Sequence, residues 1–448
     1  MTRAVEITGD PILDWNGVAL EINKLDHSVP GPPEQGGPTR SSRALAIVHI
    51  AMYDAFVSVD GVNTPYLIRV PLMTLASDEA AVATAAHTAL VGLYPNRKPF
   101  LDGELATYLG SIPNSRAKTL GRLVGAITGN AILAARRFDG KRVAENVTYT
   151  PSGDPGAHDV DPLNPGQGFL NPGWGLVAPF GVANTDEFTI PPPPALDSDE
   201  YLDAYNEVMS LGEEASMTRT ADQTEIGLFW AYDGANQIGV PPRLYNQIVR
   251  TIAENQGNTP RDNARLFCLV NIAMADAGIA CWNDKWLYDF WRPILGIRNG
   301  DNDGNDDTVG DPAWKPLGAP KSNVIAAENF TPPFPAYASG HSTFGAAALH
   351  MCNRFYGTDD IPFMFVSDEL NGVTTDNQGN VRPFSPRSFN TLTEAIEENA
   401  QSRIYLGIHW QFDAQLGMVQ GRAIANRIFN TRLRPIQATT TAKATRNK

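Results

Sequence analysis

Cysteine is scarce in this chain, and its three positions exclude two common ways of stabilising a protein. Cys268, Cys281 and Cys352 form no Cys-x-x-Cys pair, and their number is odd. A zinc site built on paired cysteines and a disulfide framework are therefore not expected. All three are predicted to be small, buried, apolar residues.

The sequence also lacks an excess of positive charge and long apolar runs. Lys and Arg total 35 against 49 Asp and Glu, which gives a net charge of −14 and makes nucleic acid an unfavourable partner. The first 15 residues contain no apolar signal-peptide core, and no uninterrupted run of about 18 apolar residues occurs. The expectation is a soluble protein without a membrane helix, either cytoplasmic or exported by a non-classical route.

Strand signals are few, whereas helical periodicity is frequent. In 43–59, apolar residues recur at steps of three and four, as on one face of a helix. The same reasoning predicts helices over 78–94, 116–138, 199–212, 221–231, 242–255, 260–281, 342–356, 391–405 and 412–430. The predicted fold is mainly α, one or more large helical bundles with long loops rich in Pro and Gly.

The stretch 151–194 contains ten prolines and seven glycines and cannot form a regular helix. It is either a linker or an ordered loop packed over the helices. Apolar anchors favour the loop, and they are Phe169, Trp174, Leu176 and Phe180. The predicted organisation is one domain over 1–435, with N-terminal helices in 40–140, this loop in 151–195 and a catalytic helical part in 199–435. A frayed polar tail is expected over 436–448.

The first chemical motif contains two cations, Lys285 and Arg292, followed by Pro293. A separation of seven residues is two helical turns, so both side chains are predicted to project from one helix face. Pro293 is expected to end that helix. The alternative is a pair of surface cations whose aliphatic stems cover apolar neighbours.

The second motif is Ser339-Gly340-His341, where a Pro-rich loop enters an Ala-rich helix. Ser339 is predicted to cap that helix, whose free N–H groups suit a bound oxyanion. Gly340 would let the backbone approach a ligand, and His341 would lie beside it. The alternative is an ordinary capped helix with a surface histidine.

The third motif runs from Arg403 through Gly407 and His409 to Asp413. Gly407 is expected to end one helical segment. Asp413 follows His409 by four residues and could hold one of its ring nitrogens, as carboxylates do behind metal-bound histidines. A buried core histidine is the alternative. Taken together, the three motifs supply three cations, neutral donors and two histidines, a suitable set for a tetrahedral oxyanion.

The ordered pattern Lys-x6-Arg-Pro, Ser-Gly-His and Ser-Arg-x5-His-x3-Asp resembles the superfamily of vanadium haloperoxidases and type 2 acid phosphatases. Segments 174–180 and 230–250 resemble the fungal chloroperoxidase type. The resemblance implies vanadate as cofactor, with His409 binding the metal through a ring nitrogen and His341 as the acid–base residue. Hydrogen bonds to the vanadate oxygens would come from Lys285, Arg292, Ser339, Gly340 and Arg403.

The same resemblance implies that Asp233 pairs with Arg403 and that Trp282 and Phe334 border the halide site. Ala338 departs from the Pro that usually precedes Ser-Gly-His, but it removes no ligand. The implied activity is oxidation of chloride, bromide or both by hydrogen peroxide, with halogenation of a small organic acceptor. Vanadium would act as a Lewis acid without changing oxidation state.

Two other functions fit parts of the pattern. An acid phosphatase could use the same residues, with His409 as nucleophile and His341 as general acid. The aromatic residues Trp282 and Phe334, and the 60 residues between His341 and Ser402, favour the haloperoxidase. A non-catalytic helical binding protein would require the filled motifs to be vestigial.

The acidic segment Asp301–Asp307 resembles a calcium-binding loop. An EF-hand needs Gly at its sixth position and Glu at its twelfth, and Asp306 and Pro312 stand there instead. The segment is interpreted as a solvated acidic turn, with calcium binding as the alternative. The sequence does not predict an oligomeric state.

Overall fold

Helices form most of the regular structure in the computed structural model, which describes residues 7–28 and 31–436. They are α1 (Pro11–Asp26), α2 (Gly37–Asp60), α3 (Asp78–Leu93), α4 (Lys98–Ser111), α5 (Arg116–Ala135), α6 (Lys141–Ala144), α7 (Asp199–Leu211), α8 (Ala221–Phe229), α9 (Pro241–Asn255), α10 (Pro260–Tyr288), α11 (Pro293–Arg298), α12 (Gly340–Tyr356), α13 (Leu392–Tyr405) and α14 (Gln411–Thr431). Two three-residue strands, β1 (Phe363–Phe365) and β2 (Arg387–Phe389), pair antiparallel with Phe363 opposite Phe389. The predicted mainly α fold is confirmed.

Each of the ten segments with helical periodicity coincides with a helix, but α1, α4 and the short helices α6 and α11 were not predicted. The N-terminus of α1 carries an evident signal, because the Asp10 carboxylate accepts hydrogen bonds from the N–H groups of Ile12 and Leu13. Helix α4 contains Gly103 and Gly110, which weaken helix propensity and obscure its periodicity.

The 29-residue helix α10 lies at the centre of the molecule and packs against α2, α12 and α14. Two helices, α2 and α10, have the length and hydropathy of a membrane span, although 94% of each apolar window is buried inside the protein. Such burial is typical of core helices. Their apolar character therefore provides the surface on which the other helices pack.

Close packing of α14 on α12 depends on two glycines one helical turn apart. A Cβ atom on Gly417 would lie 2.8 Å from the carbonyl oxygen of Ser339, and one on Gly421 would overlap the carbonyl oxygen of Thr343. The two helices can therefore approach until their backbones nearly touch. This contact fixes the N-terminal end of α12, where the Ser-Gly-His motif lies.

The Pro- and Gly-rich segment 151–194 is irregular apart from two single turns of 3₁₀ helix, Trp174–Leu176 and Asp186–Phe188. Asp276 of α10 holds it, because its carboxylate accepts hydrogen bonds from the N–H groups of Phe180, Gly181 and Val182 at 2.5, 2.7 and 2.9 Å. Trp174 and Phe180 are buried. Leu176 was wrongly predicted as an anchor, since 58% of it is exposed.

Carboxylates of the acidic segment 301–307 accept hydrogen bonds from N–H and hydroxyl groups of the same loop. The Asp303 carboxylate accepts hydrogen bonds from the Thr308 hydroxyl and the Asn305 N–H, and Asp301 accepts one from the Gly310 N–H. Among residues 7–28 and 31–436, no group of three or more His, Cys, Asp or Glu side chains is arranged to hold a metal ion.

The single-domain organisation stays a prediction, and the predicted tail lies outside the described residues from 437 onward.

The close packing of α12 on α14 predicts that a Gly→Ala substitution in this contact destabilises the protein. A Gly→Ala substitution at an open position in another helix should have the opposite effect. Gly421→Ala should destabilise the protein by about 1–3 kcal/mol, because the new methyl group forces the helices apart. Gly103→Ala is the control, since a Cβ there meets no atom within 4 Å and α4 should gain up to about 1 kcal/mol. The free energy of unfolding, measured by chemical denaturation, distinguishes them. Equal effects of the same sign would contradict the packing argument.

Candidate active site

Lys285 and Arg292 belong to different structural elements, contrary to the prediction that they share a helix face. Helix α10 ends at Tyr288, and Asp289 adopts a left-handed conformation with φ 52°. The Tyr149 hydroxyl donates to the Asp289 carboxylate at 2.7 Å, a contact from far away in the chain. The expected role of Pro293 was also wrong, since it begins α11 rather than ending a helix. Arg292 is the residue immediately before α11.

Both cations are fully buried, so they are not surface residues. The Lys285 ammonium donates to the carbonyl oxygens of Pro335 and Ala336 at 2.7 and 2.9 Å. Arg292 donates from Nε to the Phe334 carbonyl oxygen at 2.8 Å. The irregular backbone before the Ser-Gly-His motif thus fixes the two side chains by its carbonyl groups, which leave part of their donor capacity free.

Ser339 caps α12, as predicted, and its hydroxyl oxygen accepts a weak hydrogen bond from the Ser342 N–H at 3.4 Å. The Ser339 N–H donates to the Asp413 carbonyl oxygen at 3.0 Å, which joins the second motif to the third. A Cβ atom on Gly340 would approach the Trp282 ring at 3.3 Å. The start of α12 therefore lies between the Trp282 ring and the segment that carries Asp413.

His341 is buried, rather than lying on the surface, and its ring is oriented by the backbone. Its Nε2 lies 2.6 Å from the Ala231 carbonyl oxygen, and because a carbonyl only accepts, Nε2 carries the hydrogen. Nδ1 lies 3.9 Å from a carboxylate oxygen of Asp233. Burial and the nearby Arg403 guanidinium lower the pKa of His341 well below its usual range. The neutral ring therefore has an available lone pair at Nδ1.

Arg403 lies in the last turn of α13 and pairs with Asp233, as the resemblance implied. One terminal nitrogen of Arg403 donates to both carboxylate oxygens of Asp233 at 2.9 Å. Asp233 lies in the connection between α8 and α9. The pairing uses only one end of the guanidinium group and leaves its other N–H groups for another partner.

His409 follows the turn at Gly407, where φ is +69°, and contacts Asp413 as the spacing predicted. Nδ1 of His409 lies 2.9 Å from the Asp413 carboxylate, and Nε2 lies 2.9 Å from a terminal nitrogen of Arg292. A guanidinium group can only donate, so Nε2 accepts and the hydrogen resides on Nδ1. The lone pair of Nε2 is thereby directed toward the cations.

Burial dominates the electrostatics of this cluster. It lowers the pKa of Lys285 to about 7 and that of Arg292 to about 9, and it raises the pKa of Asp413 to about 7. Burial also lowers the pKa of His409 well below its usual range, with Arg292 adding to the effect. In the part of the chain that the structure describes, the carboxylates facing these three buried cations are Asp233 and Asp413, so a bound anion would favour the charged forms of the cations.

Several buried donors in the cluster have no partner within the described parts of the chain. They are one terminal nitrogen of Arg292, and Nε and one terminal nitrogen of Arg403. A buried donor without an acceptor costs about 1–3 kcal/mol. An anion with several oxygens would satisfy all three at once and would meet the Nε2 lone pair of His409 if its central atom were a metal. The residues present therefore fit a tetrahedral oxyanion such as vanadate.

A cavity of about 270 Å³ opens beside this cluster, with Asp233, Gly340 and His341 in its lining. The rings of Trp282 and Phe334 also line it, and their centroids lie 4.7 Å apart. The structure thus brings the two predicted halide-site aromatics to the edge of the site.

Sequence reasoning missed three residues around His341. The Tyr245 hydroxyl and the Asn399 amide both donate to the His341 carbonyl oxygen, at 2.9 and 3.0 Å. Lys321 lines the adjacent cavity. None of the three belongs to a recognisable motif, and only the fold places them here.

Comparison with known proteins finds similarity to vanadium chloroperoxidases over most of the chain. A family model for the vanadium chloroperoxidase N-terminal domain matches residues 5–156, and one for the second helical-bundle domain matches residues 265–438. Vanadium chloroperoxidase from Curvularia inaequalis is 37% identical, in an alignment that covers 90% of this chain and 79% of that protein.

Solved structures share the fold. A bacterial vanadium-dependent iodoperoxidase superposes with a TM-score of 0.78 at 22% identity, covering 98% of this chain and all of that one. A holo-type bacterial vanadium-dependent chloroperoxidase gives 0.67 at 16% identity, covering 90% and 94%. The sequence matches and the residues gathered around His409 show that this chain belongs to the vanadium-dependent haloperoxidase family.

Proposed function

We propose that this protein binds vanadate and uses hydrogen peroxide to oxidise chloride and bromide to hypohalous acid, which halogenates small organic acceptors. The observation that carries the proposal is the set of unpartnered, buried Arg292 and Arg403 donors around the Nε2 lone pair of His409. Family membership supports the same chemistry.

His409 would hold the metal through Nε2, with Asp413 fixing the ring and its tautomer from the opposite side. The vanadate oxygens would accept hydrogen bonds from Lys285, Arg292, Ser339, Gly340 and Arg403. Bound vanadate supplies Lewis acidity, which makes peroxide oxygen electrophilic toward a halide. The buried cations supply charge stabilisation that needs no reorganisation during the reaction.

His341 would be the proton-transfer residue. Its Nε2 is engaged by the Ala231 carbonyl oxygen, so Nδ1 is the atom that can take and return a proton. Protonation there places the new N–H 3.9 Å from the Asp233 carboxylate, which would stabilise the imidazolium. Because Asp233 also pairs with Arg403, one carboxylate orients both the cation and the base.

Trp282 and Phe334 would make the halide side of the site apolar. The Trp282 ring is fixed by its N–H, which donates to the Leu170 carbonyl oxygen at 3.2 Å. The Phe334 ring centroid lies 5.1 Å from the Lys285 ammonium and 4.8 Å from the Arg292 guanidinium carbon. Apolar walls lower the local dielectric, so they strengthen the pull of these cations on bound oxygen and dehydrate the halide.

The first prediction is that bromination requires vanadate. Apo-protein in phosphate-free buffer should gain peroxide-dependent bromination of a phenolic dye when orthovanadate is added, and phosphate should compete because the same donors accept both anions. No gain in bromination would overturn the proposed function. Hydrolysis of a phosphate monoester without vanadate, in place of bromination, would favour an acid phosphatase with His409 as nucleophile.

A second prediction separates the roles of the two histidines. His409→Ala should weaken vanadate binding more than about 100-fold, because it removes the side chain that would bind the metal and not merely a residue that orients such a side chain. His341→Ala should retain vanadate but lose about 10²–10⁴ in turnover. Vanadate titration monitored by ⁵¹V NMR measures binding independently of activity. Equal loss of vanadate binding in both variants would contradict this division.

A third prediction concerns halide selection. Phe334→His should reduce kcat/KM for chloride more than for bromide, because a polar ring admits water and chloride is the more strongly hydrated and less easily oxidised ion. The measurement compares both halides over a range of acidic pH in wild type and variant. Phe334→Leu, which keeps the wall apolar, is the control. Bromination without chlorination by the wild-type protein at any acidic pH would refute the proposed chloride activity.

A further inference from the structure

The cavity beside His341 has the size and walls of a site for a single-ring organic molecule. Its volume of about 270 Å³ lies just below the range of about 300–1,000 Å³ for sites of drug-sized molecules, which suits a smaller ligand. Much of the wall is apolar or aromatic, and it includes Trp282, Phe330, Pro332, Pro333, Phe334 and Phe344. A planar apolar ligand would therefore bury most of its surface there.

Lys321 places a cation in this cavity that the vanadate site does not use. Its ammonium group lies 4.1 Å from the Phe330 ring centroid. Within residues 7–28 and 31–436 this ammonium group has no hydrogen-bond or ion-pair partner. Burial lowers the pKa of Lys321, and the two carboxylates that oppose this effect, Asp233 and Asp161, are engaged elsewhere. Asp161 accepts from the Thr331 N–H at 2.8 Å, and Asp233 pairs with Arg403.

The backbone around Lys321 is held by hydrogen bonds, so the fold defines where this side chain enters the cavity. Its own N–H contacts the Asn329 side-chain oxygen at 3.3 Å. The next residue, Ser322, donates to the buried carboxylate of Glu369 at 2.6 Å, and Arg382 pairs with the same carboxylate. Lys321 is thus presented from a rigid segment, which limits the entropy lost when a ligand binds.

Two other polar side chains of the wall, His27 and Gln167, make hydrogen bonds within the protein. His27 contacts the Asn23 carbonyl oxygen through Nδ1 at 2.8 Å, and its Nε2 accepts from the Gly37 N–H at 3.1 Å. The Gln167 amide nitrogen donates to the Thr331 carbonyl oxygen at 2.8 Å. The Lys321 ammonium therefore offers free donors beside an aromatic wall, a combination suited to an anionic aromatic ligand.

We propose that this cavity binds the organic acceptor, and that the acceptor is a single-ring phenol carrying a carboxylate. Its carboxylate would pair with Lys321 while its ring packs against Phe330 and Phe334. The proposal rests on the proposed function for the halogenation step. In that step the halogen of hypohalous acid bonds to a ring carbon, the ring loses a proton from that carbon, and the hypohalous oxygen leaves as water.

The test compares 4-hydroxybenzoate with the uncharged 4-hydroxybenzamide by calorimetry on protein saturated with orthovanadate, so that the carboxylate cannot bind to the oxyanion donors. Wild type should bind the acid about tenfold more tightly than the amide, the value of one charge-assisted hydrogen bond. Lys321→Met should abolish that preference while leaving amide binding unchanged. Lys321→Arg should retain most of it.

Lys315→Met is the matched control, because it removes one positive charge from the same loop. Lys315 pairs at the surface with Glu214 and Glu328, each at 3.1 Å, and should leave the preference for the acid intact. Equal affinity of wild type for acid and amide would overturn the proposal. So would a loss of acid preference in the Lys315 variant, since the effect would then be general charge attraction.

Halogenation assays distinguish an acceptor site from a halide site. With vanadate, peroxide and bromide, Lys321→Met should raise KM for 4-hydroxybenzoate and leave KM for bromide unchanged. A higher KM for bromide with both acceptors would assign the lysine to the halide and overturn the proposal. Absence of bromination with either acceptor would instead refute the proposed function, while the calorimetric preference would still test the cavity.

Discussion

Three buried cations with too few carboxylates are the constraint on which this site depends. Lys285, Arg292 and Arg403 are fully buried, and among the described residues the carboxylates that oppose them are Asp233 and Asp413. Charges removed from water in this way are tolerated only when partners replace the lost hydration. Here backbone carbonyl oxygens take part of that role, and an oxyanion would complete it. The same imbalance that destabilises the empty site is therefore the source of its affinity for an anion.

The scaffold must hold these groups against their mutual repulsion. Carbonyl oxygens from 334–336 engage Lys285 and Arg292, and the N–H of Ser339 ties that segment to the backbone beside His409. Helix α12 can occupy this position only because Gly417 and Gly421 let α14 approach its backbone. Glycines in the helix contact thus determine the separation of the groups around His409, since side chains on packed helices can move little.

Local sequence rules predicted the parts of the site that depend on local geometry. The Ser339 cap and the contact of His409 with Asp413 follow from spacing along a few residues. The course of the backbone from Lys285 to Arg292 does not follow from local spacing. Helix α10 ends before Asp289, and this end is stabilised by Tyr149, 140 residues earlier in the chain. The pairing of Arg403 with Asp233 required knowledge of a family, since 170 residues separate them. Lys321 carries no sequence signal, because only tertiary packing brings it to the cavity.

The oxyanion site and the adjoining cavity are built from different kinds of sequence. Motif residues with fixed spacing form the oxyanion site, and their side chains can change little in size or charge without loss of its chemistry. Loop residues such as Lys321 and Phe330 line the cavity, whose wall also includes Asp233, Gly340 and His341 of the oxyanion site. Substitutions there can change which molecules approach His341 without disturbing the oxyanion donors. If the cavity selects the acceptor as proposed, such substitutions would change the choice of acceptor while the cluster keeps its chemistry.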